Sequence, residues 1–438
     1  MKKAAIFTLG CKVNQYESDS IAEQMKVAGY DLGPWNKQAD LYIVHTCAVT
    51  AQAAAKSRQQ INAAHRRNPE AEIIVMGCYA QMESTKLAQF PGVKYVVGTM
   101  ERQEFLDNLL LVEGEELDSN LVRPFADNEE FEEMKGFEVA NYTRPMIKIQ
   151  EGCNNFCSYC IIPYLRGPER SREAANIVAE AQRYAEAGYK ELVLTGIHLS
   201  AWGQDFQEKK NLAYLLKLLI KIPKLERVRL SSVEPTDLDA ELIELMASTD
   251  KICRHLHIPL QSGCDSVLKN MNRRYDTAYY RQLVKNIRSS IPDIAISTDV
   301  IVGFPQESQE DAESTYEFCA ELEFSRMHVF RFSARAGTKA VTLKPQVVKE
   351  EKEKRSRQLR QLGNEMALDF AQGFLGRNLS VLLESYDPKK QEAEGYSSEY
   401  LRVRVPWQSD LPIGGLLLDL KAESVEEGIV RASRIEKE

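Results

Sequence analysis

Three cysteines fall within one short run, Glu151-Gly-Cys153-Asn-Asn-Phe-Cys157-Ser-Tyr-Cys160-Ile-Ile-Pro163. Three thiolates on one loop can hold three irons of a cubane [4Fe–4S] cluster, leaving the fourth iron open to a small molecule. A zinc loop and chance spacing are the alternatives. Structural zinc takes four ligands, often as two C-x-x-C pairs, and no second pair lies nearby.

The surroundings of the run indicate what must carry it. Between residues 139 and 345, short apolar runs alternate with helical stretches. The strand candidates are Met146–Ile149, Glu191–Thr195, Arg227–Ser231, His255–Ile258, Ala295–Val302 and Met327–Arg331. The helical stretches include Ala174–Ala187, Leu212–Ile220 and Thr277–Ser289. Six such units predict a partial (βα) barrel, in which reactive groups gather at the C-terminal strand ends. The cysteine loop follows the first of these strands, in keeping with that rule.

A second cysteine set is spread over residues 1–100. Ala4–Thr8, Leu41–Thr46, Ile73–Met76 and Tyr95–Val97 read as buried parallel strands, and Ser18–Ala28 and Ala51–Arg67 as helices between them. The prediction is an open parallel-sheet α/β domain. Cys11, Cys47 and Cys78 each lie at or just beyond the end of one of these strands. Carboxyl ends of adjacent strands converge on one crevice, so three thiols there can meet and hold a second cluster. Buried structural cysteine is the bland alternative. Cys253, Cys264 and Cys319 share no spacing and read as core or surface thiols.

The expected division is an N-terminal domain over 1–112, an acidic linker over 113–138, a barrel domain over 139–370 and a terminal domain over 371–438. Lys349–Phe370 reads as a charged connecting helix. Beyond it, Leu379–Glu384, Tyr400–Val405, Leu416–Leu420 and Gly428–Ala432 predict a small antiparallel β-barrel.

Composition limits the compartment and the partners. Nine cysteines, an odd number, in 438 residues favour metal binding or catalysis over disulfides. No apolar run is long enough to span a membrane, and the start of the chain is too short in apolar residues for a signal peptide. A cytoplasmic location without membrane association is expected. The formal charge is −8, so any nucleic-acid surface must be a local patch.

These motifs resemble one known family along nearly the whole chain, the methylthiotransferases of the radical S-adenosylmethionine (SAM) superfamily. Leu9-Gly-Cys11-Lys-Val-Asn14-Gln-Tyr-Glu17, Thr46-Cys47-Ala-Val-Thr50 and Gly77-Cys78-Tyr-Ala-Gln81 resemble its auxiliary-cluster segments. The run from Gly152 to Gly167 with Glu169-Arg-Ser171 resembles its SAM-cluster loop, and the terminal barrel resembles the RNA-binding TRAM domain. The residues after Cys11 and the run Leu260-Gln-Ser-Gly-Cys-Asp-Ser-Val-Leu-Lys-Asn-Met-Asn272 look most like the subgroup acting on tRNA. That subgroup converts N6-threonylcarbamoyladenosine (t6A), at position 37 beside the anticodon, to its 2-methylthio derivative. A subgroup acting on a ribosomal-protein aspartate is the alternative, which an acidic terminal barrel would suit. Most members have Asn before Thr-Cys, whereas this chain has His45, expected to keep a hydrogen-bonding role.

The resemblance implies two [4Fe–4S] clusters and SAM as cofactors. The cluster on Cys153, Cys157 and Cys160 would cleave SAM to a 5′-deoxyadenosyl radical. The cluster on Cys11, Cys47 and Cys78 would present sulfur, methylated first by a second SAM. Tyr159 matches an aromatic lying against the adenine of SAM. Thr195, Gly196, Ser231, Glu234, Gln261 and Asp299, at or near strand ends, and the Gly303-Phe-Pro305 turn are candidate SAM contacts. Arg166, Arg170, Arg331 and Arg335 are candidates for tRNA phosphate or the threonylcarbamoyl carboxylate. Arg402 and Arg404, with Tyr400 and Trp407, are candidates for RNA in the last domain. Residues 377–438 hold nine Lys or Arg against twelve Asp or Glu, so attraction to phosphate there must be local. A tRNA carrying t6A, an electron donor such as flavodoxin or ferredoxin, and a monomeric state complete the expectation.

Overall fold

The computed structural model describes residues 1–111, 118–126, 128–136, 142–407 and 414–435. The boundaries expected for the acidic linker, at 113 and 138, fall outside these residues.

The N-terminal unit is an all-parallel sheet of β1 (Lys3–Thr8), β2 (Asp31–Leu32), β3 (Leu41–Thr46), β4 (Glu72–Gly77), β5 (Val93–Val97) and β6 (Asn120–Leu121), in the order β2-β1-β3-β4-β5-β6. β3 is buried along its whole length, which explains its continuous apolar run. Helices α1 (Lys12–Val27), α2 (Ala51–Arg67) and α3 (Cys78–Leu87) follow β1, β3 and β4. Thr50 caps α2 by accepting from the Ala53 amide. α1 begins six residues before the expected Ser18. Its first turns bury polar Asn14, Glu17 and Ser18, which obscures the apolar periodicity that marks a helix.

The expected acidic linker carries structure of its own. Asn120–Leu121 adds β6 to the sheet. Glu132 pairs with Arg102, Glu133 with Arg172 and Glu129 with Arg123, so these three acids serve as counter-ions.

The central unit contains β7 (Met146–Glu151), β8 (Arg170–Ser171), β9 (Glu191–Gly196), β10 (Arg227–Leu230), β11 (His255–His257), β12 (Ala295–Val302) and β13 (Arg326–Arg331). One sheet runs β10-β9-β7-β8 and another β11-β12-β13. The Val233 amide bonds the His257 carbonyl at 2.9 Å and joins them across β10 and β11. Six parallel strands therefore form the expected partial barrel. β8, absent from the sequence expectation, is a short antiparallel ribbon on β7.

A 24-residue helix, Lys349–Gln372, leads to a closed barrel of β14 (Asn378–Asp387), β15 (Glu392–Ser397), β16 (Arg402–Pro406), β17 (Leu416–Glu426) and β18 (Ile429–Arg434). The expectation missed β15 and made the barrel wholly antiparallel, but β16 and β18 pair in parallel to close it. Glu191, fully buried, holds Arg227 and Arg229 at 2.7 and 2.6 Å. These arginines donate to the carbonyls of Ser380, Tyr396, Ser397 and Ser398, docking the small barrel on the N-terminal ends of β9 and β10.

Candidate iron–sulfur centre

Adjacent strands bring Cys11, Cys47 and Cys78 to one edge of the N-terminal sheet. β1, β3 and β4 are neighbours. Cys11 caps α1, Cys47 directly follows β3, and Cys78 opens α3. Gly77 makes the turn into Cys78 with φ +94°, and a Cβ there would meet His45 Cδ2 at 2.6 Å. Burial pushes the Cys78 thiol up to about 11 and raises Cys47 as well, with Cys11 adding to both.

His45 lies buried beside this set. Its Nδ1 is 2.8 Å from Ser18 Oγ and its Nε2 is 3.4 Å from Glu17. Both nitrogens thus face protein polar atoms, in keeping with a hydrogen-bonding role. Burial, the largest influence, lowers its pKa, against the pull of Glu17.

The Cys153–Cys160 loop leaves the C-terminal end of β7. Gly152 starts it with φ +76°, where a Cβ would fall 1.8 Å from the Pro168 carbonyl oxygen, so only glycine fits. Backbone bonds pin the loop: Cys153 N to Gly167 O at 3.1 Å, Ser158 N to Met271 O at 3.0 Å, and Ala340 N to Ser158 O at 2.7 Å. Burial pushes Cys160 up to about 12 and raises Cys157. Buried thiols of this kind resist ionisation in isolation, whereas a coordinated cation removes the proton outright. The donor sets therefore suit metal-bound thiolates. No fourth cysteine joins either set: Cys253 and Cys319 are buried elsewhere, and Cys264 donates to Asp311 at 3.0 Å.

Each set has an arginine on one sulfur, which the sequence reading did not anticipate. Arg166 Nε lies 3.2 Å from Cys78 Sγ, and Arg273 Nη1 lies 3.2 Å from Cys157 Sγ. Arg166 also reaches Asn14 at 2.5 Å, Glu17 at 2.8 Å and Glu151 at 2.5 Å. Glu17 and Glu151 are shared with Arg102 and Lys148, all fully buried. This charged core joins the two units between the cysteine sets. Ile161 and Leu165 pack in one cluster with Cys78, Tyr79 and Ala80.

His198, also missed, lies between Glu169 at 2.7 Å and Asp237 at 2.8 Å, against Cys153. Burial lowers its pKa, but Asp237, Cys153 and Glu169 together raise it to about 12. Both ring nitrogens are engaged by carboxylates, which leaves neither for a metal. The Gln150 side chain accepts from His198 N at 2.7 Å and donates to Gly152 O at 2.9 Å, tying this group to the start of the loop.

The expected SAM contacts divide. Tyr159 packs against the apolar cluster that holds Phe304 and Phe332. The amides of Gly303 and Phe304, however, are both taken by Glu307 at 3.0 and 3.2 Å, which makes this a structural turn. Thr195 and Gly196 end β9 beside Gln150. Ser231 follows β10, and the Glu234 carboxylate is paired with Arg273. Gln261 has φ +66° and its backbone bridges to β12. Asp299 lies on β12 with its carboxylate 3.3 Å from His257 Nε2.

The arginines divide more sharply. Arg166 and Arg170 are not at the surface: both are buried, and Arg170 donates to the carbonyls of Arg166 and Pro168. Burial removes them from contact with an RNA surface. Arg331 is exposed and paired with Glu353, while Arg402 and Arg404 share Glu394. Trp407 is core of the small barrel. Tyr400 packs on Arg229 and His255 at the domain junction. Neither ring is free to stack on a base. Arg335 is buried, with its Nη2 3.6 Å from the sulfur of Met82 on α3.

An open parallel sheet joined to a partial (βα)6 barrel, each with three cysteines at strand ends, defines a radical SAM protein with an auxiliary metal centre. The radical SAM superfamily model matches residues 147–319, and the model described as uncharacterized protein family UPF0004 matches residues 3–98. The chain is 38% identical to the threonylcarbamoyladenosine tRNA methylthiotransferase MtaB of Bacillus subtilis, over 92% of this chain and 90% of that protein. It is 39% identical to the MtaB of Aquifex aeolicus, over 92% and 99%. A tRNA-2-methylthio-N6-dimethylallyladenosine synthase of Clostridium botulinum is 35% identical over 86% and 85%. The chain belongs to the radical SAM tRNA methylthiotransferase family. A solved radical SAM methyltransferase, TsrM of Kitasatospora setae, shares the fold with a TM-score of 0.56 and 17% identity, covering 78% of this chain and 77% of that one. Among the described residues, no helix is long and apolar enough to cross a membrane.

Proposed function

We propose that this protein methylthiolates C2 of N6-threonylcarbamoyladenosine at position 37 of tRNA. The observation that carries the reading is the pair of three-cysteine sets, one on each unit, linked by the buried Arg166, which bonds Cys78 of one set and Glu151 at the base of the other's loop. Full-length similarity to proteins named for this reaction supports the substrate.

An unactivated aromatic C–H bond has no proton that a side chain removes at neutral pH, so the cofactors carry the hard chemistry. Bound here, two [4Fe–4S] clusters and SAM supply one-electron chemistry and the sulfur that is transferred. Cys153, Cys157 and Cys160 would hold one cluster, and Cys11, Cys47 and Cys78 the other. The chain's own work is positioning. Thr195, Gly196, Ser231 and Gln261 lie at or just beyond strand ends, where SAM would be held beside the first set. Tyr159 would lie against adenine, backed by the apolar cluster that contains Phe304. Arg273 orients Glu234 and donates to Cys157. Arg166 fixes the distance between the two sets, because its guanidinium bonds both units at once. A small electron carrier such as flavodoxin or ferredoxin would supply the reducing electron, and the chain would act as a monomer in the cytoplasm.

Nucleoside mass spectrometry of total tRNA from cells with and without the gene tests the reading. Loss of 2-methylthio-t6A with accumulation of t6A is the expected result. An unchanged profile in a cell lacking a second such enzyme would refute it.

A further inference from the structure

Five of the six arginines named from the sequence have a carboxylate partner among the described residues, although that of Arg170 is 3.8 Å away and its Nε and Nη2 make no hydrogen bond. Arg335 has none. It is 7% exposed, and among the described residues no carboxylate lies within ion-pair distance of it. Its Nη2 meets only the sulfur of Met82, at 3.6 Å. Its Nε is buried without a hydrogen-bond partner.

Its place in the fold is specific. The chain beyond β13 passes between the two cysteine sets. Ser333 Oγ accepts from the Ala51 amide at 3.4 Å, at the start of α2 and four residues after Cys47. Met82 belongs to α3, which opens with Cys78. A Cβ on Gly337 would lie 3.6 Å from Ile161, the residue after Cys160. Burial chiefly raises the Cys47 pKa, and Arg335 is among the charges that oppose it. The guanidinium thus stands beside the Cys47 and Cys78 segments, on a stretch of chain that two residues later packs against the end of the Cys153–Cys160 loop.

Guanidinium does not deprotonate in proteins, and burying it unpaired is costly. Its fork matches a planar or tetrahedral oxyanion through two parallel N–H···O bonds. We infer that Arg335 is the oxyanion receptor of the RNA substrate. It binds either the threonyl carboxylate of t6A or a phosphate flanking that nucleotide, and so places the base between the two cysteine sets. This rests on the tRNA reading above. Arg335 is a binding and specificity residue, with no proton to transfer.

The test is equilibrium binding at fixed salt, by fluorescence anisotropy, of the full-length, anaerobically reconstituted protein. Three anticodon stem–loop RNAs are compared: one bearing t6A, one its methyl ester, and one unmodified adenosine. Arg335→Gln and Arg335→Lys are measured with the wild type, and iron content and thermal melting establish that each variant is folded and loaded. Arg335→Gln is expected to weaken t6A RNA about ten- to a hundredfold, the range for a hydrogen-bonded charge. If the carboxylate is bound, wild type prefers t6A RNA over the other two, and the variant loses only that preference. If a phosphate is bound, all three RNAs weaken equally and Arg335→Lys restores much of the loss. Unchanged binding of all three RNAs by Arg335→Gln would overturn the inference. Unchanged binding with a shifted spectrum of the auxiliary centre would overturn it too, by assigning the charge to the cluster. A wild-type protein that fails to methylthiolate t6A tRNA would instead sink the functional reading on which the inference stands.

Discussion

Arg166 donates through Nε to the sulfur of Cys78 at 3.2 Å, and the same guanidinium bonds Glu151 at 2.5 Å, two residues before Cys153. One planar group therefore touches a candidate ligand of one centre and the strand end that launches the other. Its rigidity makes it a spacer as well as a counter-ion.

Removing Arg166 leaves Glu17 and Glu151 buried with fewer cations. Arg166→Ala is expected to destabilise the apoprotein by about 3–5 kcal/mol, the usual cost of breaking a buried pair from one side. Denaturant unfolding under reducing conditions measures this. A change within 1 kcal/mol, the scale of a surface pair, would show that Arg102 and Lys148 suffice.

The two cysteine sets should load independently. With both centres filled the protein should carry about eight irons, and Cys153→Ala or Cys47→Ala should each retain about four. Cys153→Ala should form no 5′-deoxyadenosine from SAM. Cys47→Ala should still form it while making no methylthio product. Iron analysis and chromatography of the nucleoside products read both. Loss of all iron from either variant would refute two separate centres.

Arg273 donates to Cys157 at 3.2 Å. Hydrogen bonds to cluster sulfurs favour the reduced, more negative state. Arg273→Gln should therefore lower the midpoint potential of that centre by up to roughly 60 mV, the equivalent of about 1.5 kcal/mol for one electron. A redox titration followed by electron paramagnetic resonance gives the value. An unshifted potential would restrict Arg273 to holding Glu234.

Glu191 ties the small barrel to the central one through Arg227 and Arg229. Burial raises its pKa, but Arg229, Arg227 and Arg144 outweigh burial and hold it below the ordinary carboxylate range. A depressed folded value means stability fully present above the unfolded value of about 4.3, and lost as pH falls through the folded one. Glu191→Gln should cost about 3 kcal/mol at pH 7 and expose the barrel to limited proteolysis. The gap from wild type should shrink in acid. A gap independent of pH would remove the ionised carboxylate from the explanation.

The placement of both cysteine sets was legible because the loop cysteines are closely spaced and the strand-end cysteines follow apolar runs. The six barrel strands were legible as short apolar-rich runs between helical stretches, although β7 and β10 interleave buried charged residues and β13 is only partly buried. α1 was clipped and α3 unseen, since their early residues face a polar interface or the strand-end cysteines, where periodicity carries no signal. β2, β6 and β8 have two residues each, too few to show a pattern.

What the sequence by itself determined was the local chemistry: which thiols, which glycines before them, and which alternation of strand and helix. It could not assign the arginines, because charge in a sequence looks the same whether it faces solvent, a carboxylate or an empty site. Tertiary structure made that decision. It enclosed Arg166 and Arg170 in an ionic core, tied Arg402 and Arg404 to Glu394, and left Arg335 buried without a counter-ion among the described residues. The physical reason is that the state of a charge depends on neighbours brought from far along the chain, and only folding sets those distances.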